Sequence, residues 1–293
     1  MPKENHDSAR DHLDQRLDEL ATYETYTPFS QLYCRLIVAW SREVGREAAP
    51  LRAVCERLFD IELWYHQALV HLSDRDRVTH DDVRSVADKR RINLTALGER
   101  VEALNVRTPR ASVVKHLLLA ECHYHLRETK AVVTDLEAAI ESGGGHPLVH
   151  FALGYNRFDQ AREAFADAQA SSMEDLDGAE REFRAACFGA VRAFRDGLTG
   201  QAFDAQLHFW IGRTLAAAGL LDEAQAALET AARIDPSIFG QPPLVEDDAE
   251  AVAAAEESSD APPSAPITED EVREIGECLK GSWSPGEVLG EER

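Results

Sequence analysis

Histidine and cysteine side chains are the first candidates for chemistry in this chain. His146 and His150 stand at i and i+4, and Cys122, His123 and His125 lie on the helix pair before them, so a transition-metal site can be drawn. The spacing argues against it. On one helix His123 and His125 point to different sides, and no acid or cysteine stands at a helical offset from His146 and His150. Histidines lining a groove, or satisfied in packing, are the plainer account, and no metal is expected. Gly143-Gly144-Gly145 follows a helix instead of a strand and lacks the lysine and hydroxyl of a phosphate-binding loop, which leaves it as a turn. Cys34, Cys55, Cys122, Cys187 and Cys278 are odd in number, widely spaced and without a C-x-x-C, so neither structural disulfides nor a cysteine-rich zinc site is expected. With no G-x-S-x-G elbow and no H-E-x-x-H, the residues nominate no catalytic group and no cofactor, and the expectation is a protein that is not an enzyme.

Charge narrows the class of partner. The 293 residues carry a formal charge of −22, which disfavours a nucleic-acid backbone as main partner. Residues 246–293 hold fifteen Asp and Glu against Arg273, Lys280 and Arg293, a net −12, so the first 245 residues carry only −10. Between Arg84 and Lys115 the sign reverses: eight cations face Asp88, Glu99 and Glu102, a net +5. A solvated helix face is the ordinary reading of that stretch, and a dock for an acidic partner or for the protein's own acidic tail is the sharper one. SVADKRRINLTALGERV faintly suggests a helix-turn-helix, but Arg91 stands where a turn glycine is expected. Apolar runs break too often for a membrane span, and the N-terminus lacks the apolar stretch of a secretory signal, so a cytoplasmic protein is expected.

The elements that must position these groups are helices. Residues 1–12 are polar and expected to be disordered. Over 13–110 apolar positions recur at helical spacing: Leu13, Leu17 and Leu20, then Leu32, Leu36, Ile37 and Trp40, then Val54, Leu58, Ile61, Leu63, Trp64, Ala68 and Leu69 as a broad buried stripe. Thr79 with Asp82 marks a helix start, and Pro109 interrupts the pattern after it. No segment alternates with period two, so no sheet is expected.

From 111 to 240 the pattern becomes pairs of short helices. AQLHFWIGRTLAAAGLLDEAQAALETAARIDPS resembles the tetratricopeptide-repeat consensus W-x2-L-G-x2-Y…A-x3-F…P: His208 replaces the tryptophan, Ile211 and Gly212 supply the leucine-glycine pair, Leu215 replaces the tyrosine, Ala224 and Leu228 form the second-helix pair, and Pro236 closes the unit. Small Gly212 and Ala224 let two helices approach, and Gly219 ends the first of them. Asn156 to Ala161 with Phe165 and Ala168 looks like the second helix of another copy, whose first helix begins near Pro147. Leu119, Val132, Leu136 and Ala139 fit a degenerate copy ended by the three glycines. The register between Ser171 and Asp204 is ambiguous, because Ala179, Phe183 and Ala186 and also Ala190, Phe194 and Gly197 repeat the spacing. A helical bundle with chance A-x-x-x-F spacings remains the plain alternative.

The expected architecture is therefore all-α: antiparallel hairpins stacked as a short tetratricopeptide-like solenoid, an N-terminal helical region and an acidic C-terminal tail. The resemblance implies a concave groove lined by first helices, presenting Gln206, Phe209 and Arg213 from the clear copy and Glu121, Tyr124, His125, His146 and His150 from the weaker ones. Residues 241–267 have the composition of a disordered acidic linker, and over 268–293 Thr268 with Glu271 caps a short amphipathic helix whose face is Val272, Ile275 and Leu279, followed by Trp283. The function expected is a scaffold or adaptor that binds a protein or peptide partner, with the tail helix able to dock on the chain itself. The alternative is a transcriptional or signalling regulator with N-terminal nucleic-acid contact and a repeat-like sensor region.

Overall fold

The computed structural model describes residues 5–23, 26–73, 79–171, 176–201 and 203–240. Among these the chain is all-α and has no strand. Ten helices come in order: α1 (Asn5–Leu20), α2 (Pro28–Ser41), α3 (Ala48–Ser73), α4 (His80–Glu102), α5 (Pro109–His125), α6 (Thr129–Glu141), α7 (Pro147–Ser171), α8 (Leu176–Asp196), α9 (Asp204–Ala217) and α10 (Leu221–Ile234), with 3-10 turns at Gly45–Glu47 and Ile238–Gly240. The stretch 1–12, expected to be disordered, is helical from Asn5 onward, continuing the helix whose Leu13, Leu17 and Leu20 are buried. The tail helix of Val272, Ile275, Leu279 and Trp283, with the linker before it, lies outside the described residues.

Three helix starts obey one rule. Thr27, Thr79 and Thr108 each accept a hydrogen bond from the backbone N–H three residues on, so the first turn's donors are satisfied by a side chain. Thr79 and Asp82 complete a reciprocal capping box. Pro28 and Pro109 stand at the first helical position, where a missing N–H costs nothing, so Pro109 begins a helix as well as ending the pattern before it.

The described residues divide into two compact units, 5–153 and 154–240. In the first, α3 packs against α1, α2, α4 and α5 around Leu13, Leu17, Tyr33, Leu51, Leu58 and Leu117, all fully buried. The boundary expected at 110 therefore falls inside this unit: Tyr33 Oη on α2 donates to the Leu117 carbonyl on α5. In the second unit α9 packs on α8 and α10.

Two hairpins, one in each unit, close in the same way. In α5–α6 the N–H groups of Leu126, Arg127 and Glu128 donate to the carbonyls of Cys122, Tyr124 and His123; in α9–α10 those of Ala218, Gly219 and Leu220 donate to Thr214, Ala216 and Leu215. Each turn has one left-handed residue, Arg127 at φ 60° and Gly219 at φ 80°. The bond spanning five residues with a left-handed residue inside it is a Schellman closure, which satisfies carbonyls that the helix end leaves open. Gly212 on α9 sits against Leu228 and the Ala224 carbonyl of α10 so closely that an added Cβ would lie 2.6 Å from Leu228.

Between these hairpins the expected repeat register is corrected. α7 runs unbroken through Gly154 and Asn156, where a junction between two short helices was expected, and α8 carries both Ala179-Phe183-Ala186 and Ala190-Phe194 on a single helix. Gly154 is a packing residue: an added Cβ would lie 2.6 Å from the Phe194 ring. With Arg157 donating to the Gly189 carbonyl and Phe165 stacked on Phe183 at 4.9 Å, the two helices run antiparallel as one long hairpin.

Candidate functional site

The expected groove residues fall in separate units and into two kinds of environment. Gln206, Phe209 and Arg213 stand at i, i+3 and i+7 on α9, beside the buried face formed by Leu207, Trp210, Ile211 and Thr214, and all three are half-buried. The Arg213 guanidinium lies 4.8 Å from the Trp210 ring centroid and 5.8 Å from that of Phe209, within cation–π range. Trp210 in turn meets Tyr155 edge-on at 5.1 Å. Phe209 does not face an open groove. It packs on Ala205, Ala231 and Ile238 and meets Phe239 edge-on at 5.7 Å, so the chain leaving α10 covers it.

Glu121 and His125 are interior, not groove-lining. Glu121 is 3% exposed, and its Oε1 accepts from His125 Nε2 at 3.1 Å and from the Cys34 thiol at 3.6 Å. Tyr26 donates to Cys34 Sγ at 3.1 Å. On the other side of the imidazole, Arg90 Nη2 lies 2.7 Å from His125 Nδ1, and the same guanidinium forms a bidentate pair with Glu62, 3.0 Å from Nε and 2.5 Å from Nη2. An arginine can only donate, so Nδ1 must accept and Nε2 carries the proton that points to Glu121. The result is a continuous polar relay, Tyr26–Cys34–Glu121–His125–Arg90–Glu62, drawn from α2, α3, α4, α5 and the turn before α2.

Its electrostatics arise from burial and pairing. Burial alone would raise the Glu62 carboxyl, but His125 and Arg90 overcome it and hold the group below its ordinary value. Burial opposes a charge on His125, yet Glu62 draws one strongly enough to raise its pKa; a second proton would set an N–H against the Arg90 guanidinium, so it enters only if that contact breaks. His66, 3% exposed and ringed by Tyr23, Tyr26 and Tyr65, is pushed down to about 4 by burial. Burial also holds the four described thiols protonated, with Cys55 and Cys187 pushed up to about 12 and Cys34 and Cys122 likewise raised. None is an activated nucleophile.

The remaining expected residues serve local structure. Tyr124 is half-buried and meets His125 at 5.5 Å. His146 accepts from the Leu148 N–H through Nδ1, capping α7, and sets its ring edge-on against Trp40. Burial, then Arg110 and His150, lowers its pKa. His123 and His116 converge on one carboxylate, Asp135 of α6, at 2.8 and 3.1 Å. Among the described residues no group of three or more His, Cys, Asp or Glu is placed to hold a metal ion, and no helix is long and apolar enough to cross a membrane. Comparison with protein-family models, with curated proteins and with solved structures finds no match.

Part of the basic stretch is paired within the chain. Arg90 belongs to the relay, Arg110 pairs with Glu43 while stacking on Trp40 at 4.1 Å, and Lys115 donates to the Glu102 and Leu104 carbonyls. Arg91 sits 3.8 Å from Asp88 at the surface. The relay itself was missed from sequence. Its signal is Glu62 and His66 at i and i+4 in line with Cys55 and Leu58: a charged residue on a buried helix face must have a partner. Trp64, expected within that stripe, is instead 37% exposed.

Proposed function

We propose that the chain is a non-enzymatic binding scaffold, whose α9 face of Gln206 and Arg213, flanked by Phe209, receives an extended segment or helix of a protein partner. One observation carries this reading: Gln206 and Arg213 share one side of α9 beside the aromatic rings of Phe209 and Trp210, with the arginine held over the indole. Arginine and aromatic side chains concentrate binding energy because they combine a large apolar area with directed donors. The shared closure of α5–α6 and α9–α10, and the glycine-sized contact at Gly212, support a tetratricopeptide-like origin for these hairpins. Protonated, buried thiols and a relay enclosed in packing support a structural role for the polar interior. With Arg90 held in the buried relay, and Arg110 and Lys115 paired with Glu43 and with the Glu102 and Leu104 carbonyls, the nucleic-acid reading gains no support.

The test is affinity capture with the parent and with Arg213→Glu. The variant is expected to keep its helicity and melting temperature and to lose a partner that the parent retains, with affinity reduced by roughly tenfold or more, as for an arginine anchor. Equal recovery with both proteins counts against the α9 face.

A further inference from the structure

The first unit shows in one place how it holds a guanidinium near its surface. Arg110 of α5 lies 4.1 Å over the Trp40 ring and turns its Nη2 to Glu43 Oε2 at 2.6 Å, so an indole face and a carboxylate grip one cation together. In the second unit Trp210 carries Arg213 at 4.8 Å. Trp64 on α3 is the third described tryptophan. It is exposed, and among the described residues no cation and no ring is stacked on it.

Trp64 lines a cleft of about 300 Å3 between α1 and α3. That volume is at the low end for whole small molecules, roughly 300–1,000 Å3, and suits a single side chain. Gln15, Arg16 and Glu19 line it from α1, and Asp60 and Gln67 join Trp64 from α3. Arg16 is already spent, because its guanidinium pairs with Asp60. Glu19 accepts one hydrogen bond, from Gln67 Nε2 at 3.3 Å, and a carboxylate has room for about four. With histidine counted neutral, Glu19 and Asp60 against Arg16 leave the lining at a formal −1. The cleft thus offers an outside cation the same two surfaces that Trp40 and Glu43 offer Arg110.

We propose that the α1–α3 cleft receives an arginine side chain from a peptide segment of another protein, its guanidinium flat on the Trp64 indole and its donors on Glu19. Arginine suits the site better than lysine, because a planar guanidinium stacks on an indole while its fork serves a carboxylate. The Gln15 and Gln67 amides are placed to pair with the peptide groups beside it. The site belongs to the first unit and stands independently of the α9 face.

Fluorine NMR of the full chain labelled with 5-fluorotryptophan tests this, with the Trp64 resonance identified by its loss in Trp64→Phe. Titration with acetyl-Gly-Arg-Gly-amide is expected to shift the Trp64 resonance saturably and to leave those of Trp40 and Trp210 in place. The same peptide with citrulline for arginine, equal in shape and uncharged, should bind about threefold or more weakly, and 1 M salt should weaken the arginine peptide likewise. Glu19→Gln, a change at an exposed position that leaves helicity intact, should cost the arginine peptide about threefold and the citrulline peptide little. Butylguanidine, the side chain without peptide groups, should bind more weakly than the tripeptide. A Trp64 resonance that does not move, or moves equally with citrulline, overturns the proposal. Equal or tighter binding of butylguanidine overturns the peptide as occupant, and a Trp64 shift that follows protein concentration alone places a second copy of the chain there instead of another protein.

Discussion

At the scale of residues, the buried relay and His66 beside it decide how the first unit responds to pH and to substitution. His66 is neutral in the fold, with its pKa held near 4, below the ordinary value of 6.5 that it regains on unfolding. Stability from this group is therefore present above about pH 6.5 and is lost as the pH falls toward 4. Lowering the pH from 7 to 5 should cost the parent about 2 kcal/mol more than it costs His66→Phe, which keeps the ring contacts and cannot titrate. Urea midpoints at the two pH values measure this, and parallel losses would remove His66 from the acid response. Arg90 supplies the second case. Arg90→Met strips the bidentate partner from Glu62 and the donor from His125, leaving a carboxylate that is 1% exposed without its cation. A loss of about 3–5 kcal/mol is expected, and adding Glu62→Gln should recover part of it, because most of the cost is an uncompensated buried charge. A single variant within about 1 kcal/mol of the parent, the size of an exposed pair, would place the pair effectively at the surface.

Helix-scale behaviour is set by where backbones touch. Gly212→Leu should destabilise the second unit by about 1–3 kcal/mol, since the space is already taken by Leu228 and Ala224. Gly98→Ala on α4 is the counterpart: an added Cβ there meets nothing within 4 Å, and the helix gains up to about 1 kcal/mol from the restricted unfolded chain. Thermal melts of both should move in opposite directions. The same contrast explains what was legible in the sequence. The capping box of Thr79 and Asp82 and the closure at Gly219 are local, built from residues three to five apart, and were readable. Gly212 was readable as a close approach because its partners lie within one hairpin. Gly154 was not, because the ring that needs its missing Cβ belongs to Phe194, forty positions away, and nothing nearby separates a glycine that breaks a helix from one that admits a neighbour. Arg127 hid the α5–α6 closure for a related reason: it holds the left-handed position that a glycine would have advertised. The relay was hidden most deeply. Glu62 and Arg90 are 28 residues apart, and a charge met alone in a sequence defaults to the surface.

For the molecule as a whole, two units with separate cores raise the question of whether they lose structure together. The described cysteines answer it without any label being introduced. Cys34, Cys55 and Cys122 are buried in the first unit and Cys187 in the second, and all four are free thiols. A buried thiol reacts with an alkylating reagent only through an opening of the structure around it, so its modification rate divided by that of the unfolded chain is a local opening constant. Retardation by about a thousandfold or more is expected at all four sites under native conditions. As urea is added, Cys34, Cys55 and Cys122 should accelerate with one common slope, because the relay and the helices it joins open as a single event, while Cys187 takes a slope of its own. Four superimposed slopes would mean one cooperative transition, and three different slopes among the first three would dissolve the first unit as a cooperative body. The four described thiols thus make the protein a clock for its own breathing, with three hands in one unit and one in the other.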